Sequence, residues 1–311
     1  MFLSNRYAGA DQCSPTPNPC YKTHNPLIVV YLINARSLVN KMDLLRCYLN
    51  DFRPAIVCIT ETWAHNDLPD SFFFVEDYVF YRCDRSKGTG GGVIIYVSNS
   101  LSSTFVGKFD DGKASVATCL VSSYDGESLY ISCIYIPPGY SLDNCLVIKH
   151  LYDVASYNND FQIFCGDFNR PDIDWNIFKG FSSATSILDW CMDNYLTQKV
   201  LIPTRPQSNS VLDLVFTTDE ARVICLSVNE CFGNSDHAIV SFSVNFIPTH
   251  RRVSRLSEFQ FSKGNWKYFQ KCLYNSSWPS VANDSDVNGL WGQFLHNILR
   301  AARHAIPMKP K

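Results

Sequence analysis

Between residues 27 and 247 the chain alternates short apolar runs with turns marked by Gly, Pro, Asn and Asp. "LIVVYLI" (27–33) predicts a core strand, and "SLVNKMDLLRCYLNDF" a helix, with Leu38, Met42, Leu45, Leu49 and Phe52 on one face. Ser37 is a candidate N-cap for that helix, and Pro54 ends it. "AIVCIT" (55–60) is the next strand. "SFFFVEDYVFYR", "GGVIIYVS", "ASVATCLVS" and "SLYISCIYI" then follow without helical periodicity between them, which predicts antiparallel strands in series. Helical spacing returns at 141–157 and 183–195, and "FQIFCGD", "VLDLVFTT", "RVICLSV" and "AIVSFSVNF" supply further strands. Ten or eleven strands with about three helices exceed one open sheet, so two packed sheets flanked by helices are expected.

Outside this region the pattern changes. Residues 1–26 are rich in Pro, Asn, Ser and Thr and are expected to be a flexible arm. Residues 248–311 read as a tail with helical pieces, the later one carrying Leu290, Phe294, Ile298 and Ala301 near one face. There is no internal repeat.

Composition narrows the class. Apolar residues make up 46% and charged ones 18%, enough for a large core and incompatible with global disorder. The 13 cysteines include no CxxC pair, and several, among them Cys58, Cys133, Cys165 and Cys225, lie inside apolar runs. That argues for a reducing, intracellular setting and against a disulfide framework or structural zinc. No segment suggests a secretion signal or a membrane span. Charge is uneven. From Arg251 to Lys311 ten Lys/Arg stand against three Asp/Glu, a net of +7, which leaves −9 for residues 1–250 in a chain of net −2. A polyanionic partner of the main domain must therefore be met by local patches or by a bound cation.

The candidate chemistry lies where strands end. "FQIFCGDFN" runs from an apolar strand straight into Asp167 and Asn169, which is either a plain Gly-Asp-Asn turn or a site. Other strands end the same way, in Asn34, in Glu61 and at Tyr135, while Asp213 sits inside "VLDL" and Asp236–His237 precede "AIVSF". If the edges line up, four carboxylates, two asparagines, a histidine and a tyrosine converge. Crowded carboxylates repel unless a cation or proton intervenes, and an oxygen-rich set with little histidine suits Mg²⁺ or Mn²⁺.

At this point the chain resembles a known family. "NARSLVNK", "ITETW", "RCDRSKGTGGGVIIYV", "YIPPG", "GDFN", "QKVLIPTR", "LDLVF" and "SDHAIV" follow in the order found in the endonuclease/exonuclease/phosphatase superfamily. Within it, residues 27–247 are most similar to the endonuclease domain of LINE-type (non-LTR) retrotransposons. The resemblance implies a deoxyribonuclease I-like α/β fold, a four-layer α/β/β/α sandwich of mostly antiparallel sheets. It also implies a Mg²⁺- or Mn²⁺-dependent endonuclease that leaves 3′-hydroxyl nicks in DNA, with no other small-molecule cofactor. Carried over residue by residue, Glu61 would be the main metal ligand, with Asn34 and Asp236. Asp167 would orient or deprotonate the attacking water and Asn169 would hold it. His237, positioned by Asp213, would contact the scissile phosphate, Tyr135 would donate to the developing charge, and Thr204 matches a threonine near the site. Arg36 stands where repair-type apurinic endonucleases carry an acidic residue, which favours the retrotransposon branch. There the nuclease precedes a reverse transcriptase; the basic tail is similar to the connector, and a truncated or degenerate copy is the expectation. A phosphomonoesterase of the same fold and a catalytically inactive remnant are the alternatives.

"GTGGGV" opens a strand rather than a helix, so it predicts a tight turn with close packing and not a nucleotide loop. Arg82, Arg85 and Lys87 beside it are candidate DNA-backbone contacts, or members of a solvated loop. Trp63 and Trp175 are expected to fill core space, and His65, His150, His296 and His304 to play ordinary roles.

Overall fold

A computed structural model describes residues 27–123, 126–141, 146–156, 161–180, 185–249, 259–278 and 287–308. The arm expected over 1–26 lies outside them. The first sheet is built from β1 (Leu27–Asn34), β2 (Ile56–Thr60), β3 (Tyr78–Cys83) and β4 (Val93–Ser98), and the second begins with β5 (Ser103–Asp110), β6 (Ser115–Ser122), β7 (Ser128–Tyr135) and β8 (Phe161–Asp167). A two-stranded ribbon follows, β9 (Ile173–Asp174) with β10 (Lys179–Gly180). The short β11 (Thr197–Gln198) and β12 (Asp213–Thr217) complete the second sheet, and β13 (Val223–Cys231) and β14 (Ala238–Asn245) complete the first. The orders are β13-β14-β1-β2-β4-β3 and β11-β12-β8-β7-β6-β5. Only β1–β2 and β7–β8 run parallel within the six-stranded sheets, and each pair is joined through a helix, α1 (Met42–Phe52) and α2 (Leu146–Ala155) respectively.

The two sheets face each other across a core of alternating inward residues, among them Val30, Leu32, Cys58, Cys133, Cys165, Val215 and Val240. On the outer face of the first sheet, α1 seats Met42, Leu45 and Leu49 on Ile33, Val57 and Ile59. On the outer face of the second, α2 and α3 (Thr185–Asp193) pack Val147, Leu151, Ile187 and Trp190 on Phe164, Leu214 and Phe216. This is the four-layer α/β/β/α sandwich that the motifs implied. Cys58, Cys119, Cys133 and Cys165 are fully buried and behave as small hydrophobes, whereas Cys225 is exposed on β13; every described cysteine is free. Among the described residues no helix is long and apolar enough to cross a membrane.

Local departures from the sequence reading have physical causes. Ser37 is not an N-cap: α1 starts five residues later, at Met42, because the backbone N–H groups of Ser37 and Leu38 donate to the carbonyls of Glu61 and Thr62. At its other end Arg53 takes a left-handed cap (φ 46°) before Pro54. "SFFFVEDYVFYR" is a strand only from Tyr78; Asp70–Phe73 form a 3₁₀ turn whose Phe73 is buried under the first sheet. The edge strand β5 had no legible pattern, since neither face of "STFVGKFD" is buried. In the tail, α4 (Trp266–Tyr274) and α5 (Val287–Ala305) pack together, with Phe259 and Phe269 on Ala302, Ala305 and Ile306. The helical reading of "RRVSRLSE" falls outside the described residues.

Candidate active site

The carboxyl ends of the two parallel strand pairs point to the same place. In the first sheet Asn34 is in register with Thr60, so Glu61 follows directly beside it. In the second, Tyr135 pairs with Asp167, and Asp167 with Asp213. Asn34 then bridges the sheets: its Nδ2 donates to Oε1 of Glu61 (3.2 Å) and to Oδ2 of Asp167 (2.8 Å). Its Oδ1 accepts from the Arg36 backbone N–H (3.0 Å), which fixes the amide orientation.

Gly166 answers why the strand ends in Gly-Asp. A Cβ there would stand 1.8 Å from the Ile134 carbonyl oxygen of β7, so only glycine lets β7 and β8 pair at Asp167. Asn169 is both turn and site. It adopts a left-handed backbone (φ 49°), donates its N–H to Asp167 Oδ1 (3.1 Å) and anchors its Nδ2 on the Ile136 carbonyl (2.9 Å). Both oxygens of Asp167 are thereby aimed.

Asp167 and Asp213 are fully buried and directly opposite on neighbouring strands, an arrangement that repulsion disfavours. His237 offsets part of it through Nδ1, 2.7 Å from Asp213 Oδ2. Burial works against the imidazolium, but the Asp213 hydrogen bond and the surrounding carboxylates raise its pKa to about 9. It is therefore protonated at neutral pH. Burial first, and then Asp213, push Asp167 well above the usual carboxylate range. Burial also pushes the Tyr135 phenol up, reinforced by Glu61 and Asp167.

Two further residues hold these groups. Thr204, wholly buried, accepts the backbone N–H groups of Leu212 (3.1 Å) and Asp213 (3.0 Å) on Oγ1, and its carbonyl accepts from Ala238 (2.7 Å). It braces the Asp213–His237 pair through the backbone. Ser235 donates from Oγ to the Asn34 carbonyl (2.7 Å) and accepts the His237 N–H (3.2 Å). The "SDH" spacing contained this role without announcing it.

Asp236 is differently engaged. Its Oδ2 accepts from Nη2 and Nε of Arg205 (2.7 and 2.9 Å), and its Oδ1 pairs with Arg36 Nη1 (3.2 Å). Burial works against its charge, but the Arg205 hydrogen bonds hold its carboxyl below the usual range.

Trp63 does not fill core space; Trp175 does. Trp63 is 41% exposed and donates its indole N–H to Glu61 Oε2 (3.1 Å), so Glu61 is held at both oxygens. The "GTGGGV" turn forms the adjoining wall. Gly90, Gly91 and Gly92 all have φ between 71° and 81°, and a Cβ on Gly91 would press the Tyr135 ring at 3.1 Å, one on Gly92 the Thr62 hydroxyl at 2.5 Å. The three DNA-contact candidates diverge from one another. Arg82 is committed to the fold, bonded to Asp70, Asp84 and the Leu68 carbonyl over the Phe73 ring. Arg85 donates to the carbonyls of Gly112 and Thr89, and the stem of Lys87 lies beside Gly112.

The donor set fits a hard cation. Asp167, Asp213 and His237 offer ligand atoms within 4.8 Å of one another, but the His237–Asp213 pair already accounts for that proximity. The better indication is the surplus of buried carboxylate oxygen. Asp213 Oδ1 is buried with no hydrogen-bond partner among the described residues, and Glu61 and Asp167 converge on the one Asn34 amide, each with a single further donor on its other oxygen.

Comparison with known proteins agrees with this architecture. The family described as endonuclease-reverse transcriptase matches residues 129–241. No curated protein matches the chain by sequence. Among solved structures, the endonuclease domain of TRAS1, a telomere-specific non-LTR retrotransposon, superposes with a TM-score of 0.57 at 15% identity, covering 71% of this chain and 99% of that one. An AP endonuclease from Leishmania major gives 0.57 at 15%, covering 70% and 88%. A 3′ phosphatase from Neisseria, bound to a product DNA hairpin, gives 0.51 at 15%, covering 70% and 100%.

Proposed function

We propose that this chain, which carries the fold of the endonuclease/exonuclease/phosphatase superfamily and matches its endonuclease-reverse transcriptase family, is a metal-dependent endonuclease that hydrolyses DNA phosphodiester bonds. The observation that carries this reading is the convergence on Asn34 of Glu61 and Asp167, beside the Asp213–His237 ion pair. Glu61 and Asn34 would hold a Mg²⁺ or Mn²⁺ ion, which when bound supplies a Lewis acid for the charge growing on the phosphate.

The chain's own residues do the rest. Asp167, its two oxygens oriented by Asn34 and Asn169, takes the proton of the attacking water. The protonated His237, its tautomer fixed through Nδ1 by Asp213, offers Nε2 to a phosphate oxygen. Tyr135, a neutral phenol seated against Gly91, donates to the same developing charge. Departure of the sugar 3′ oxygen, which takes up a proton from solvent, leaves a 3′-hydroxyl and a 5′-phosphate, an end that can prime DNA synthesis.

The test is conversion of supercoiled plasmid to the nicked circle with Mg²⁺ or with EDTA, followed by extension of the nick with a DNA polymerase. Nicking in Mg²⁺ alone, with directly extendable ends, is expected. Glu61→Ala, Asp167→Ala and His237→Ala should each reduce it by at least ~100-fold. A folded protein that nicks nothing, or an Asp167→Ala variant of full activity, would overturn the assignment; release of phosphate from a monoester instead would favour the phosphatase alternative.

A further inference from the structure

The main domain is acidic, yet its proposed substrate is a polyanion. Two loops at the site rim each present an arginine, and a third carries the carboxylate between them. Arg36 follows β1, Arg205 precedes β12, and Asp236 precedes β14; the two guanidiniums converge on the opposite oxygens of one buried carboxylate. The arrangement is built, not casual. Arg36 sits in a left-handed turn (φ 42°) whose carbonyl accepts from Lys41 Nζ (3.0 Å), and Lys41 also donates to the Ala35 carbonyl. The backbone N–H groups of Thr204 and Arg205 both donate to the Ser210 carbonyl (3.0 Å), in the loop whose Thr204 braces Asp213.

Stability alone is a weak reason for such a cluster. Partly exposed ion pairs contribute about 0–1 kcal/mol each. A guanidinium has five N–H donors; Arg205 spends Nε and Nη2 on Asp236 and Arg36 spends Nη1, and the remaining groups have no partner among the described residues. Arg36 is 53% and Arg205 39% exposed at the side chain, while Asp236 between them is 8%. One carboxylate thus holds two forks in a fixed geometry and leaves a net positive charge one residue from His237. Planar, pre-oriented forks of this kind suit phosphate oxygens.

We propose that Arg36 and Arg205, held by Asp236, form a receptor for a second, non-scissile phosphate of the DNA backbone, and so set the register of the strand against His237. This rests on the nuclease reading for the identity of the polyanion, but its test does not depend on cleavage. The full chain in EDTA is titrated into a fluorescein-labelled DNA duplex across a KCl series, with anisotropy as the readout. Each phosphate contact contributes about 0.9 to the slope of log K against log salt. Because the two arginines share one phosphate, Arg36→Gln and Arg205→Gln should each flatten the slope by a fraction of a unit, and the double variant by about one unit. Arg205→Lys, which keeps the charge and loses the fork, should keep the slope with weaker binding.

An unchanged slope in the double Gln variant overturns the proposal. So does a fall in melting temperature with equal loss of binding in the Gln and Lys variants, which would make the arginines braces of the fold. Plasmid nicking in Mg²⁺ separates the two readings. Salt-dependent binding without nicking removes the nuclease and leaves the phosphate receptor standing, while nicking with unflattened slopes does the reverse.

Discussion

Replacing Thr204 by Val removes one hydroxyl oxygen and leaves the side-chain volume almost unchanged. That oxygen accepts two backbone N–H groups, Leu212 at 3.1 Å and Asp213 at 3.0 Å, in a place with no solvent access. Each buried donor left unpaired costs about 1–3 kcal/mol, so the variant should lose on the order of 3 kcal/mol. For a unit of this size that is a melting temperature lower by roughly 6–12 °C. Function should suffer as well, since the shifted backbone carries Asp213 and, through it, His237; displacement of about 1 Å at reacting groups costs about 100-fold. Thr204→Ser keeps the oxygen and should fall within about 1 kcal/mol of the parent. Urea unfolding followed by tryptophan fluorescence, run beside plasmid nicking on all three proteins, makes the comparison. A Val variant as stable as the Ser variant would refute the assignment of Thr204 as the acceptor that fixes the Asp213 strand.

Three other outcomes are expected. Gly166→Ala drives a Cβ into the Ile134 carbonyl oxygen at 1.8 Å, so it should separate β7 from β8, abolish nicking and lower stability by several kcal/mol, about the scale of an overpacked core; soluble, active Gly166→Ala protein would contradict the observed register. In EDTA the protein should lose stability as pH rises. The folded pKa of His237 is raised from 6.5 to about 9, so its contribution, about 3 kcal/mol, is full below pH 6.5 and lost as pH climbs through 9, and the raised carboxyl of Asp167 acts in the same direction; thermal melts at pH 6.5 and 9.5 that do not differ, or differ equally in His237→Gln, would refute this. Removing residues 251–311, which carry +7, should weaken DNA binding at low salt and flatten its salt dependence while leaving cleavage at saturating DNA nearly unchanged; an unchanged slope with a lower melting temperature would identify the tail as a structural brace.

Much of this molecule is written locally. Apolar runs broken by Gly, Pro and Asn determined most strands of both sheets, though not the edge strand β5, because a strand between two layers must be apolar wherever it faces another side chain. The helical face of Met42, Leu45 and Leu49 and the stop at Pro54 were equally legible. So was the abrupt change from core to carboxylate at Glu61 and Asp167, since such a residue at a strand end calls for a partner. What the sequence could not contain was the partner itself. Only the meeting of two sheet edges puts Asn34 on Asp167, 133 positions away, and decides that Asp236 is held between two arginines. The same holds for Ser37, which as a local pattern is a fair N-cap but whose backbone is claimed by the strand-end loop of β2. Arg82 and Trp63 exchanged their expected roles for this reason too. Nothing in their neighbours along the chain says that the guanidinium will find Asp70, Asp84 and a phenyl face, or that the indole will stand open beside Glu61. Periodicity reports which face of an element is buried; hydrogen bonds and ion pairs depend on distances of about 3 Å between segments remote in sequence, and those are set only when the layers close.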